Sequence, residues 1–143
     1  MKLIVAIALA FSGAALGQPQ PLSPAERQAK DTEKQRIEAQ AKAEKAQCQR
    51  LEGNAEDVCE AQAKAKEKIA KAELDAKYDP SPRNQRRAAS MKAEGEYEVA
   101  KQRCGDRGAA ARDQCRQEAR ERYQKAQSDI ERQYPVAAAG GSR

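Results

Sequence analysis

The sequence predicts an all-α fold: two tandem disulfide-clamped αα-hairpins, with four helices at about 24–51, 55–78, 82–104 and 109–133. Three observations predict it. Cys48/Cys59 and Cys104/Cys115 share one spacing of eleven positions and lie 56 positions apart. Residues 41–78 then lie over 97–134 without a gap, matching Asp57 with Asp113, Ala63 with Ala119, Ala70 with Ala126, Leu74 with Ile130 and Tyr78 with Tyr134, as expected of one structural unit encoded twice. Between the breakers the chain is dominated by Ala, Glu, Lys, Gln and Arg, all strong helix formers.

The amino end opens Met1-Lys2, runs apolar from Leu3 to Leu16 and reaches Ala15-Leu16-Gly17, with small residues where a signal peptidase reads. A signal peptide over 1–17 is expected. The apolar run is short of the ~20 residues of a membrane span and no second run follows, so the cleaved protein is expected not to be integral to a membrane. No cysteine stands at the expected cut, which disfavours a lipid anchor.

Residues 18–23 form an extended linker. Ser23-Pro24-Ala25-Glu26 then supplies a helix start, with Ser23 as N-cap and Glu26 completing a capping box. The first helix should bury Ala25, Ala29, Ile37, Ala41, Cys48 and Leu51. Gly53 suits its left-handed C-terminal cap, and Asn54 suits the N-cap of the second helix. That helix should bury a face built on Cys59, Ala63, Ala70 and Leu74, with Val58, Ala65, Ile69, Ala72 and Ala76 beside them. Hairpin repeat 1 thus covers 24–78.

The Pro-rich linker 79–81 ends it, since Pro80 and Pro82 remove donors and restrict their predecessors. Ser81-Pro82 repeats the start signal of Ser23-Pro24. Hairpin repeat 2, over 82–134, carries Ala89, Ala93, Tyr97, Ala100 and Cys104 on its first helix, with Gly95 as that helix's weak interior point. Gly105 to Gly108 break the chain. The last helix shows the clearest stripe, Ala111, Cys115, Ala119, Tyr123, Ala126, Ile130 and Tyr134. Pro135 stops it and 135–143 should be a disordered tail. Tyr97 and Tyr123 are expected as half-buried core, with a contact between the hairpins as the alternative.

Eleven positions of unbroken helix advance about 16 Å, whereas a disulfide needs its Cα atoms within ~7 Å. Pairing Cys48 with Cys59 and Cys104 with Cys115 therefore requires a reversal inside each pair, which the glycines supply. This is the preferred pairing. The alternative joins Cys48 to Cys115 and Cys59 to Cys104 across two continuous antiparallel helices, because eleven steps of about 100° return to one face. It resembles the twin Cys-x9-Cys mitochondrial hairpins, but with ten intervening residues rather than nine. Zinc is unsupported: the chain has no histidine, and neither pair shows zinc-knuckle spacing. No metal and no cofactor are expected.

The expected mature chain of 126 residues (143 less 17) has few apolar side chains larger than alanine and no tryptophan. Packing at ~25 cal/mol per Å² should be modest, so a disulfide worth roughly 3 kcal/mol in the chain-entropy model weighs heavily. Charge is nearly balanced over 18–79, with 12 basic and 13 acidic groups, and basic over 80–143, with 14 and 9. That asymmetry suits an anionic envelope component, although interspersed charge is also what a solvated helix face carries.

The segment Cys48-Gln-Arg-Leu51-Glu-Gly53-Asn54-Ala-Glu-Asp57-Val-Cys59 within Ala/Lys-rich helices resembles a group of uncharacterised periplasmic proteins of Gram-negative bacteria, often labelled TolA-like or cell-envelope-biogenesis proteins. The resemblance spans roughly residues 25–134; the second copy departs from it with Arg107, Gly108 and Ala109 where Leu51, Glu52 and Gly53 would stand. It implies a periplasmic or secreted address and no mechanism.

Two functions remain open. One is an exported structural or interaction protein of the cell envelope, with an unknown protein or an anionic envelope component as partner, or a homo-oligomer formed through alanine stripes of coiled-coil type. The other is a periplasmic chaperone similar in physics to the small helical Spy and CpxP proteins, whose Leu-Thr-x-x-Gln motif is absent. No enzyme is expected, because no histidine, nucleophile elbow, phosphate loop or distinguished acid pair is present. Nucleic acid is opposed by export and by the scarcity of stacking aromatics.

Overall fold

The computed structural model describes residues 21–135. They form four α-helices, α1 Pro24–Cys48, α2 Asn54–Tyr78, α3 Pro82–Gln102 and α4 Ala109–Gln133, with no strand among the described residues. The expected signal peptide, residues 18–20 of the linker and residues 136–143 of the tail lie outside the described residues.

The start of α1 follows from its sequence. Ser23 Oγ accepts from the Glu26 amide at 3.3 Å, and the Glu26 carboxylate accepts from the Ser23 amide at 2.8 Å. Two otherwise unpaired donors are thereby satisfied. The helix ends at Cys48, short of the expected Leu51, because the Arg50 and Leu51 amides bond to the Gln47 and Cys48 carbonyls. These three-residue bonds tighten the chain and turn Leu51 outward, 42% exposed. Ala25 and Ala29 are exposed too, since α2 covers only the later part of the expected stripe.

The turn after α1 corrects two expectations. Gly53, with φ +59°, is itself the N-cap of α2 rather than a C-terminal cap of α1. Only glycine takes that backbone without strain. Asn54 is the first residue of α2 and not its cap; its amide donates instead to Asp106 Oδ2 at 3.0 Å. Glu56 and Asp57 stand in the first turn, where negative charge meets the positive end of the helix dipole.

Between α2 and α3, the Ser81 hydroxyl accepts from the Asn84 amide at 3.4 Å. Asn84 is buried, and its side chain donates to the Asp79 carbonyl at 2.9 Å and the Asp79 carboxylate at 2.7 Å. A buried amide placed so is satisfied and locks the linker. At the other neck α3 ends at Gln102, short of Cys104, where the Cys104 and Gly105 amides bond three residues back. Gly105 is needed there because a Cβ would run into the Asn54 side chain. Gly108 is the N-cap of α4, without a side-chain cap.

Both pairs of cysteines are bonded as preferred, Cys48 with Cys59 and Cys104 with Cys115, with Cα atoms 5.4 and 5.8 Å apart. Cys48 and Cys104 are completely buried. Each bond clamps the neck of a hairpin, and the Asn54–Asp106 hydrogen bond joins the two necks at one end of the molecule.

The helices form a single row rather than a closed bundle. Contacts run only from α1 to α2, α2 to α3 and α3 to α4. In the middle, α2 buries Ala63 and Ala65 on two flanks. Gly95 on α3, expected as a weak point, is where α3 packs tightly on α2: a Cβ there would lie 2.9 Å from Ala65 Cβ and 3.2 Å from Ile69 Cδ1. The row also stops at α4. Ala61, Ala65 and Ala72 of α2 correspond, 56 positions on, to Gln117, Glu121 and Ser128, all exposed. A polar outer face of this kind terminates a repeat array.

Removing the first disulfide by Cys48→Ser with Cys59→Ser should cost about 3 kcal/mol in the chain-entropy model and lower helicity and Tm together in a circular-dichroism melt; unchanged melting would make the bond incidental. Gly95→Leu should cost about 1–3 kcal/mol by overpacking, despite leucine's higher helix propensity, and lower Tm by several degrees. An unaltered Tm would show that α2 and α3 do not need their close approach.

Candidate interaction surface

The two copies of the repeat solve the same packing problem with different side chains. In the first hairpin, ion pairs zip α1 to α2 along their length. Glu33 meets Lys77 at 2.6 Å, Lys30 meets Asp75 at 2.7 Å, Glu38 meets Lys71 at 3.0 Å, Glu44 meets Lys66 at 3.1 Å and Lys45 meets Glu67 at 2.6 Å. The Tyr78 hydroxyl also donates to Glu33 at 2.9 Å. Pairs this exposed are individually weak, roughly 0–1 kcal/mol; along α1 a central acidic run of Glu33, Glu38 and Glu44 between Lys30 and Lys45 meets the complementary pattern on α2.

These contacts perturb the groups that make them. Hydrogen bonds from Lys77 and Tyr78 hold the Glu33 carboxyl below its ordinary range, and Lys45 and Lys71 do the same for Glu67. Glu44 is lowered by Gln40 and then by Lys66. Lys77 is raised by Glu33, and Lys71 by Glu67 and Glu38. Tyr78 is raised by partial burial and by its bond to Glu33.

In the second hairpin the zipper is gone. The positions of Glu33, Glu44, Glu67, Lys71 and Lys77 are taken by Ala89, Ala100, Tyr123, Gln127 and Gln133. No ion pair links α3 to α4 among the described residues. An aromatic stack stands in its place: Tyr97 and Tyr123 lie with ring centroids 4.9 Å apart and planes 11° from parallel, a favourable aromatic geometry. Lys101 Nζ sits 4.7 Å from the centre of the Tyr97 ring. The two tyrosines are half-buried, and they join α3 to α4 within one hairpin, not one hairpin to the other.

Each seam opens a groove at equivalent positions. In the first, about 310 Å³ in volume, Ile37, Ala41, Glu44, Ala63, Lys66 and Glu67 contribute walls. Their counterparts Ala93, Tyr97, Ala100, Ala119, Arg122 and Tyr123 all line the second, about 570 Å³, which also reaches Ala65 and Ile69 of α2. Ala93 for Ile37 and Ala100 for Glu44 remove side-chain bulk, while Tyr97 for Ala41 and Tyr123 for Glu67 add it in the form of the ring stack. The exchange at Ala100 also leaves Arg122 without the carboxylate that its counterpart Lys66 engages.

Arg103 and Arg122, which sequence reasoning passed over, therefore stand at a groove with an alanine and tyrosine floor. The signal that would have found them is the pair of changes at Ile37/Ala93 and Glu44/Ala100 between otherwise matched copies. The residues named in advance serve the frame instead: the four cysteines, Ser23, Gly53, Ser81, Gly105 and Gly108 shape necks and helix starts. No helix among the described residues is long and apolar enough to cross a membrane. No protein-family model, curated protein or solved structure matches the chain.

The perturbed groups define a pH window for stability. Glu33, Glu44 and Glu67 have folded pKa values below the ordinary 4.5, so their contribution is present above it and lost as pH falls through the depressed values. Lys71 and Lys77 have folded values above 10.5, so theirs is present below it and lost as pH rises through the raised ones. Tm measured against pH at low salt should be level between about pH 5 and 10 and fall on both sides, with shallower limbs in high salt. A flat profile to pH 3 would remove the zipper from the account of stability.

Proposed function

We propose that this chain is an exported interaction protein of the cell envelope, non-catalytic, which presents a disulfide-clamped row of helices to a partner. The observation that carries this reading is the second groove: a row four helices long leaves one face unsealed, and an apolar groove of about 570 Å³ crosses it. Concave, mostly apolar surfaces with a few polar groups are where proteins take up ligands and partners. The likeness of the Cys48–Cys59 turn to periplasmic Ala/Lys-rich proteins supports the address, as do two disulfides of the kind that persist in oxidising compartments. The signal-like amino end agrees with both.

The same groove favours a second reading, a chaperone that holds unfolded clients, because a small-residue floor with a basic rim accepts varied sequences. A client-aggregation assay with the oxidised mature chain separates the two. A dedicated interaction protein should leave aggregation of a denatured client unchanged at equimolar ratio, whereas suppression at near-stoichiometric protein assigns the chaperone role. Fractionation of cells expressing the full chain, with thiol labelling, tests the address: the expected product is cut after Gly17 and carries no free thiol. Four reactive thiols in an unprocessed intracellular chain would overturn it.

A further inference from the structure

We propose that the groove of the second hairpin docks an amphipathic helix of a partner protein, one that carries acidic side chains beside its apolar stripe. This rests on the interaction reading above and adds the chemistry of the partner. The inference starts from the comparison that the chain makes with itself. The first groove is narrowed by its own residues to about 310 Å³: Ile37 lines it and Glu44 neutralises Lys66 at 3.1 Å. The second keeps the cation and discards both occupants, since Ala93 and Ala100 replace Ile37 and Glu44 while Arg122 replaces Lys66.

Charge follows the same line. Neither Arg103 nor Arg122 makes an ion pair among the described residues. Glu96 is the one carboxylate at the groove, so two unpaired guanidiniums face one acid. A guanidinium fork matches a carboxylate in two parallel hydrogen bonds. Apolar side chains flanked by carboxylates are the complement of this floor and rim.

Shape favours a helix. From Ala93 to Arg103 the groove follows α3 for about 15 Å, roughly three helical turns, and its floor of Ala65, Ala93, Ala100 and Ala119 lets another backbone come near. A helix meets such a groove through residues at i, i+3, i+4 and i+7. A further copy of this chain does not simply extend the row, because the next place, beside α4, is faced by Gln117, Glu121 and Ser128.

The test uses the oxidised mature chain and three 18-residue alanine-based helical peptides. All carry leucines at i, i+4 and i+7, flanked in one by glutamates, in another by glutamines and in the third by lysines. Calorimetric titration should rank them Glu tighter than Gln tighter than Lys. Arg122→Ala should weaken the Glu peptide about tenfold and leave the Gln peptide nearly unchanged; Arg132→Ala, outside the groove, should alter neither. Ala100→Glu restores the carboxylate of the first copy and should abolish binding with Tm equal or higher, which separates loss of the site from loss of the fold.

Equal affinity for the Glu and Lys peptides, or an Ala100→Glu variant that binds as before, would overturn the proposal while leaving an interaction role standing. So would binding to phosphatidylglycerol vesicles that the Glu peptide does not displace, which assigns the arginines to a lipid surface. Binding of none of the peptides, together with suppression of client aggregation, would remove the dedicated-partner reading as well.

Discussion

Alanine is too small to fill a central core, and that limit governs the molecule. Two helices lined with alanine can approach closely and bury what they have, but four around one axis would enclose a void, and voids are costly. The chain accordingly spreads its helices in a row in which each meets only its neighbours. Stability then belongs to each seam separately. The disulfides clamp the two seams within hairpins, and the seam between hairpins depends on the contact of Gly95 with Ala65 and Ile69. Asn84 and the Asn54–Asp106 bond fasten that middle seam at its two ends.

The repeat shows how little of a helical hairpin is dictated by its scaffold. Cysteines, buried Ala63 and Ala119 and the closing tyrosines are shared. The side chains across the seam are not: one copy holds itself with complementary charges and the other with two stacked rings. An ion pair fills a groove with its own long side chains, whereas a ring stack holds two helices at fewer points and leaves space beside it. Duplication thus supplies a stable copy and a copy in which a surface is free to specialise.

Much of the frame was legible because its signals are local. Cysteine spacing, Ser-Pro starts and glycine breaks report on neighbours a few positions away, and they yield four helices, two hairpins and the disulfide pairing. The misplacements have tertiary causes. Leu51 reads as core by periodicity but falls past a neck tightened by three-residue bonds, and Asn54 reads as a cap but is drawn to Asp106 of the other neck. Gly95 reads as a defect until α2 is placed against it. Openness of the row is invisible to periodicity, since a helix stripe records that a face is covered and not by how many neighbours. The arginines at the second groove become visible only when one copy is read against the other, with Ala100 seen as an absent Glu44.

Both covalent clamps lie at one pole, while the beginning of α1 and the end of α4 lie at the opposite pole, α1 against α2 through Glu33–Lys77 and α4 against α3 through the Arg86–Tyr134 bond. The central pair α2 and α3 is tied at both poles, so within each hairpin rigidity is graded from the disulfide toward the free tip of the outer helix. Fraying of α1 and α4 should begin at their tips and amide exchange there should precede exchange beside the disulfides.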